Sequence, residues 1–404
     1  MKGFINRLLS PIRYFINDSR AVGIILIVCT IVSVTLANSS IGNQYRHFWT
    51  KEVLPTEALH LPGNLLEWIN NFLMGIFFVM AGTEIKRELC VGELSNFKKA
   101  VLPFGAALGG MVFPALIFVS LNAETSFIRG WGIPTATDIA FSLGVASLLG
   151  KRVPLNLKIL LMALAIIDDL GAIVVIALFY GGTIHWIYLI IAVLLTAILL
   201  LLTYKKIKFG TLQVTLAFCL WFLVLQSGIE ASIAGVLFAI TVPVNRLVMV
   251  EKTIHNFVSF FILPLFALAN TAILVSTGVG SALSTTVGLG VMVGLVFGKP
   301  LGIFVACRLL VSLKVASLPT NVRWEQILGM GALAGIGFTM SIFTTMLAFT
   351  DDATRDIAKV AILVSVALSF AISLVYFWFI SLKPSHIPGA IARPHPNFQL
   401  NTTI

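Results

Sequence analysis

Apolar runs of about twenty residues, the length of helix that crosses ~30 Å of hydrocarbon, recur along almost the whole chain. Twelve can be marked, at 21–39, 65–83, 100–121, 130–149, 155–180, 184–203, 211–226, 229–244, 255–275, 287–311, 325–349 and 358–381. In hydrocarbon every backbone polar group needs an internal partner, so runs of this length form helices. The expected fold class is an all-α polytopic membrane protein with twelve transmembrane helices. Composition agrees, since only 11% of residues are charged against roughly 25% in soluble domains.

The net charge of +10 does not imply nucleic acid, because the basic residues alternate between loops. Twenty-one of the 27 fall on one side, in groups such as Lys86, Arg87, Lys98, Lys99 and Lys205, Lys206, Lys208. Five fall on the other side (Arg46, Lys51, Arg129, Arg355, Lys359), and Lys299 lies within a span. The positive-inside rule then puts both termini in the cytoplasm. Residues 1–20 read as a cytoplasmic amphipathic segment lying at the interface, and not as a cleaved signal. Residues 21–383 read as a single membrane domain, and 384–404 as a cytoplasmic tail. The outer loop 40–64 is expected to hold short strands or an interfacial segment. Cys29, Cys90, Cys219 and Cys307 have no paired spacing that would indicate a metal, haem or disulfide framework, and no cofactor is expected.

Two spans are interrupted near mid-depth. In GWGIPTATDIAFSLG, Gly130, Gly132 and Pro134 precede Thr135, Thr137 and Asp138. In GALAGIGFTMSIF, Gly331, Gly335 and Gly337 precede Thr339 and Ser341. Such breaks are tolerated where protein or water satisfies the released backbone groups. They fall in the fourth and eleventh spans, equivalent positions if spans three to five and ten to twelve are repeats. Paired breaks of this kind point to a binding site in transporters built from inverted repeats.

The fifth span carries Asp168 and Asp169 in LMALAIIDDLGAIVVIALFY. One charge at the centre of a membrane helix costs about 2.5–3.5 kcal/mol on insertion scales, so an adjacent pair needs compensation or a function. Neighbours on a helix diverge by about 100°, so the two cannot face one narrow site. One plausible division sets one aspartate toward a water-filled funnel as a cation ligand and the other toward a positive partner. Lys299, in FGKPLG, is the deep candidate for that partner. Asp138, at the start of a half-helix, can offset the positive ends of helix dipoles or ligate a cation directly, with Thr137 adding a hydroxyl. Carboxylate and hydroxyl oxygens suit a small hard cation or a proton. Competition between the two for the same carboxylates is itself an exchange mechanism.

ALAIIDDLGAI, IPTATDIAFSLG, ILPLFALAN, GKPLG and GIGFTMSIF, with compatible spacing across nearly the whole chain, closely resemble the NhaA family of bacterial sodium/proton antiporters. The resemblance implies twelve helices, two inverted three-helix repeats, and two discontinuous helices crossing at mid-membrane, with Pro134, Gly335, Gly337 and Thr339 at the breaks. It implies that Asp169 and Asp168 are the cation- and proton-binding pair that takes the transported sodium, Asp168 pairing with Lys299, and that Asp138 and Thr137 stand at the crossing. It implies electrogenic exchange of sodium or lithium for protons, a bacterial inner-membrane location, and roles in pH homeostasis and salt tolerance. It also implies a β-hairpin and homodimer contact in the 40–64 loop. The family's pH-response cluster is matched by Glu84, Arg87, Glu88, Glu251 and His255. Lys252 and Glu230 stand where histidines are expected, and Asn71 where an acid is expected, which bears on the pH profile and not on the transport chemistry. The alternatives are a sodium-coupled symporter of related fold and, from another class, an intramembrane aspartyl protease in which two carboxylates share a proton.

Overall fold

The computed structural model describes residues 19–52, 61–275 and 279–382, and all regular elements there are helical. Helix α1 (Ser19–Ala37) turns through 114° into α2 (Gly42–Thr50). Helix α3 (Leu65–Cys90) and α4 (Phe97–Asn122) follow. A 3-10 segment (Ser126–Thr135) precedes α5 (Ile139–Leu148), and α6 (Leu155–Phe179) comes next. Then come α7 (Trp186–Tyr204), α8 (Thr211–Gln226), α9 (Ile233–Thr241), α10 (Val244–Asn270), α11 (Val279–Ser284) and α12 (Thr286–Ser312). The described chain ends with α13 (Trp324–Ala334), α14 (Phe338–Ala348) and α15 (Asp352–Leu382).

Every expected span has a helical counterpart, but not every counterpart is long enough to cross alone. Among the described residues seven helices meet the length and hydropathy of a membrane span, or nine if each bent pair is counted as one. The fourth, seventh and eighth expected spans correspond to α5, α8 and α9, which are shorter. In the outer loop, α2 occupies residues 42–50, and Glu52 and Asn64 form one isolated antiparallel bridge. The expected hairpin otherwise falls on residues 53–60, outside the described residues, as does nearly all of the 1–20 segment.

Burial orders the helices. In α6, 67% of the most apolar window is buried, against 11% in α7, so α6 is central and α7 faces lipid. Leu157, Leu161 and Leu164 of α6 are fully covered, in a core that includes Phe118, Phe266, Phe338 and Phe343. A second apolar cluster joins α7, α8 and α9 to the start of α10 through Leu199, Leu220, Val224, Phe238 and Leu247. Lys86 of α3 fixes α9 by donating to the carbonyls of Ile240 and Val242 at 2.6 Å each, so its ammonium meets the negative end of that short helix. Helices α4 and α12 approach backbone to backbone, and a Cβ on Gly302 would stand 2.1 Å from the Gly109 carbonyl oxygen. Small residues permit such close approach in membranes. It brings Lys299, one turn before Gly302, into the centre of the bundle. Three helices carry a π-helical turn: Ile69–Leu73 in α3, Val258–Ile262 in α10 and Gly294–Gly298 in α12.

Candidate functional site

The two broken spans meet where their regular hydrogen bonding stops. The α13–α14 pair bends by 49°, while residues 136–138 run extended between the 3-10 segment and α5. A broken helix leaves orphan carbonyls on one side and orphan N–H groups on the other. Here each break satisfies the other. The Asp138 N–H donates to the Ile336 carbonyl at 2.8 Å, the Thr137 hydroxyl to Ala334 at 2.9 Å and the Ser142 hydroxyl to Leu333 at 2.9 Å. In return the Ser341 hydroxyl donates to the Ile133 carbonyl at 2.7 Å. Gly337 is required at this contact, since a Cβ would stand 2.3 Å from the Ala136 carbonyl oxygen.

Asp138 caps both half-helices. One oxygen accepts the Phe141 N–H of α5 at 3.0 Å; the other accepts the Thr339 N–H at 3.2 Å and the Thr339 hydroxyl at 2.8 Å, at the start of α14. Its carboxylate thus lies between two positive helix ends, a position that offsets their dipoles. Gly335 packs on the Leu295 carbonyl and Pro134 on Gly294, so the crossing rests directly on the π turn of α12.

Asp168 and Asp169 part company as their adjacency requires. Asp168 and Lys299 are both fully buried, with Nζ to Oδ2 at 2.6 Å. The same ammonium donates to the Thr135 carbonyl at the end of the 3-10 segment, so Lys299 meets a negative helix end as well as a carboxylate. Asp169 points elsewhere. It lines a cavity of about 200 Å³ with Thr137, Asp138, Thr339, Glu84, Glu251 and His255, and its Oδ1 has no hydrogen-bond donor among the described residues.

The cavity joins the crossing to the side expected to be cytoplasmic. There Arg87 pairs with Glu251 at 3.1 Å and with Glu88 at 3.2 Å. Five of the six candidate pH-response residues therefore lie together, in that ion-pair network or along the cavity. Lys252 is exposed and does not line the cavity. Beyond the crossing, a second cavity of about 620 Å³ opens on the opposite side, with Phe343 among its lining residues. Thr339 of the inner cavity and Phe343 of the outer one are one turn apart on α14, about 6 Å at 1.5 Å per residue. Phe78 packs on Phe343 at 5.7 Å between ring centres, so a thin aromatic partition lies between the two spaces.

Two features escaped the sequence reading. Ser142 and Ser341 bind opposing carbonyls across the crossing, and a serine in an apolar run carries no sign of which carbonyl it will reach. Lys359, counted by sequence with the outer surface charges, is only 7% exposed. It lies within α15 and lines the outer cavity; its place near the margin of a span made it resemble a loop residue.

Broken helices that complete each other at mid-bundle, with carboxylates between opposed cavities, define an ion-coupled membrane transporter rather than an enzyme. The model of the family Na+/H+ antiporter 1 matches residues 13–377. The Na(+)/H(+) antiporter NhaA of Flavobacterium psychrophilum is 46% identical over 358 residues, covering 87% of this chain and 91% of that one. NhaA 2 of Clostridium beijerinckii is 41% identical over 388 residues, covering 93% and 96%. NhaA of Cytophaga hutchinsonii is 43% identical over 369 residues, covering 90% and 93%. The chain belongs to the Na+/H+ antiporter family represented by NhaA, a family of multi-pass membrane transporters.

Proposed function

We propose that the chain is an electrogenic antiporter of the bacterial inner membrane that exports sodium or lithium in exchange for protons, through competition at Asp169 and Asp168. The observation that carries this reading is the unequal pair. Asp169 lines the inner cavity, whereas Asp168, whose Oδ1 likewise lacks a donor, is held through Oδ2 by a buried ammonium. When Asp169 is ionised, its carboxylate and the nearby Thr137 and Thr339 oxygens offer hard ligands to a partly dehydrated sodium ion. When it is protonated, that site is lost. Alternating exposure of the carboxylates makes proton binding from one side expel the cation taken from the other. Two protons returned on Asp168 and Asp169 per sodium moved supply the charge imbalance. The Glu84, Arg87, Glu88, Glu251 and His255 network lies along the inner route and is proposed to tune it with pH.

Twelve helices in two inverted repeats, cytoplasmic termini and a homodimer contact through the 40–64 loop belong to the same proposal. A cavity of about 200 Å³ is smaller than the roughly 300–1,000 Å³ common for organic ligands, which favours a bare ion over a symported substrate. Asp168 turns to Lys299 and Asp138 to the two helix ends, so neither forms with Asp169 the facing pair of carboxylates that a protease would require.

In proteoliposomes with an imposed pH gradient, sodium or lithium is expected to drive proton movement that disappears in Asp169→Asn. A folded, purified protein that moves no protons on sodium addition across about pH 6–9, where proton competition with carboxylates and histidines is resolved, would refute the reading.

A further inference from the structure

The outer cavity holds a charge for which the exchange chemistry has no use. Lys359 lies in the second turn of α15, is more than nine-tenths buried, and lines the cavity. The carboxylates around it are each engaged. Glu67 accepts from the Gly63 N–H and the Asn64 amide at 2.9 Å each, and Asp352 holds Arg355 at 3.1 Å. Asp356 accepts from the Leu274 N–H and Glu230 from the Ser232 N–H. Arg46 donates to Asn43. Among the described residues Lys359 makes no hydrogen bond, and its charge is balanced electrostatically by Asp356, three residues before it on α15, and by Asp352. Along α15 it is also the deepest, seven residues or about 10 Å beyond Asp352 toward the Phe343 floor. Burying an ammonium costs free energy even beside carboxylates, and packing alone would be served by a methionine or leucine.

We infer that Lys359 sets the sidedness of sodium affinity, its ammonium offsetting the Glu67, Glu230, Asp352 and Asp356 carboxylates of the outer cavity so that sodium does not gather there and an exported ion rebinds less. The inference rests on the antiport reading above and adds to it a residue that touches neither Asp168 nor Asp169. The physics is that of a charged cleft with low-dielectric walls, in which the local concentration of a mobile ion departs severalfold or more from bulk. A fixed positive charge in the wall of this cavity lowers the local sodium concentration on the outer side of the crossing. The inner cavity lies beyond the crossing and is lined by its own acids, Glu84, Glu251 and Asp169, so the same charge acts there more weakly.

Sodium-dependent proton movement in right-side-out and everted membrane vesicles separates the two faces. For Lys359→Gln, the outer sodium concentration that half-inhibits export is expected to fall roughly threefold to tenfold, with the inner-side KM unchanged. Lys359→Arg retains the unmodified constants. Glu230→Gln shifts the outer constant the opposite way, and added choline chloride shrinks each difference by screening. An unchanged outer constant in a folded Lys359→Gln protein that still transports overturns the inference, as does an equal change on both faces. An unmodified protein without sodium-dependent proton movement refutes the antiport reading instead.

Discussion

At the scale of residues, the buried charges separate into one that is paired and one that is available. Lys299 and Asp168 satisfy each other at 2.6 Å with no solvent exposure, and removing one partner of such a pair strands the other. Lys299→Ala is therefore expected to lower stability by about 3–5 kcal/mol, read as a reduced midpoint of thermal unfolding in detergent. The double variant Lys299→Met with Asp168→Leu should recover much of that loss while remaining inactive, because apolar residues of similar volume often replace a buried pair without penalty. An unchanged midpoint in Lys299→Ala would contradict the pairing. These residues were legible in the sequence because charge inside an apolar run is rare and expensive. The residues alone left open which aspartate meets Lys299, since a helix fixes the angle between neighbours but not which of them faces water; only the family resemblance assigned Lys299 to Asp168.

At the scale of elements, the crossing depends on backbone approaches that tolerate no side chain. Gly302 against Gly109 sets the spacing of α4 and α12, and so the position of Lys299. Gly302→Val should destabilise the protein by roughly 1–3 kcal/mol from overpacking, and reduce transport further by drawing Lys299 away from Asp168. A Cβ added at Gly280 in α11 would meet no atom within 4 Å, so Gly280→Ala should leave both properties intact or slightly raise stability. Circular dichroism melting and vesicle transport, measured together, distinguish the two. The broken spans were readable from glycine, proline and threonine clusters. The π turns were not, because an i to i+5 bond follows from tertiary packing and leaves no fixed pattern of residues. The shortness of α9 was hidden similarly, since hydropathy continues past the end of a helix that Lys86 closes.

At the scale of the whole molecule, the alternating basic loops predict an orientation that a thiol reagent can read. Cys90 is exposed at the end of α3, whereas Cys307 is buried and Cys29 partly so, and Cys219 lies in apolar α8. A membrane-impermeant maleimide should label Cys90 in everted vesicles and leave it unlabelled in right-side-out ones; labelling in the right-side-out preparation alone would invert the topology. The assembly also constrains how it can move. Asp138 accepts N–H groups from both α5 and α14, and each break borrows hydrogen bonds from the other. Moving one half-helix alone would strand several buried polar groups at once, so the crossed pair behaves as a single welded part. The alternating exposure of Asp169 proposed above would then be absorbed around that part rather than inside it. The helices that depart from regular α geometry around it are α3, α10 and α12 with their π turns, and under the antiport proposal they are expected to act as flexures around a rigid core.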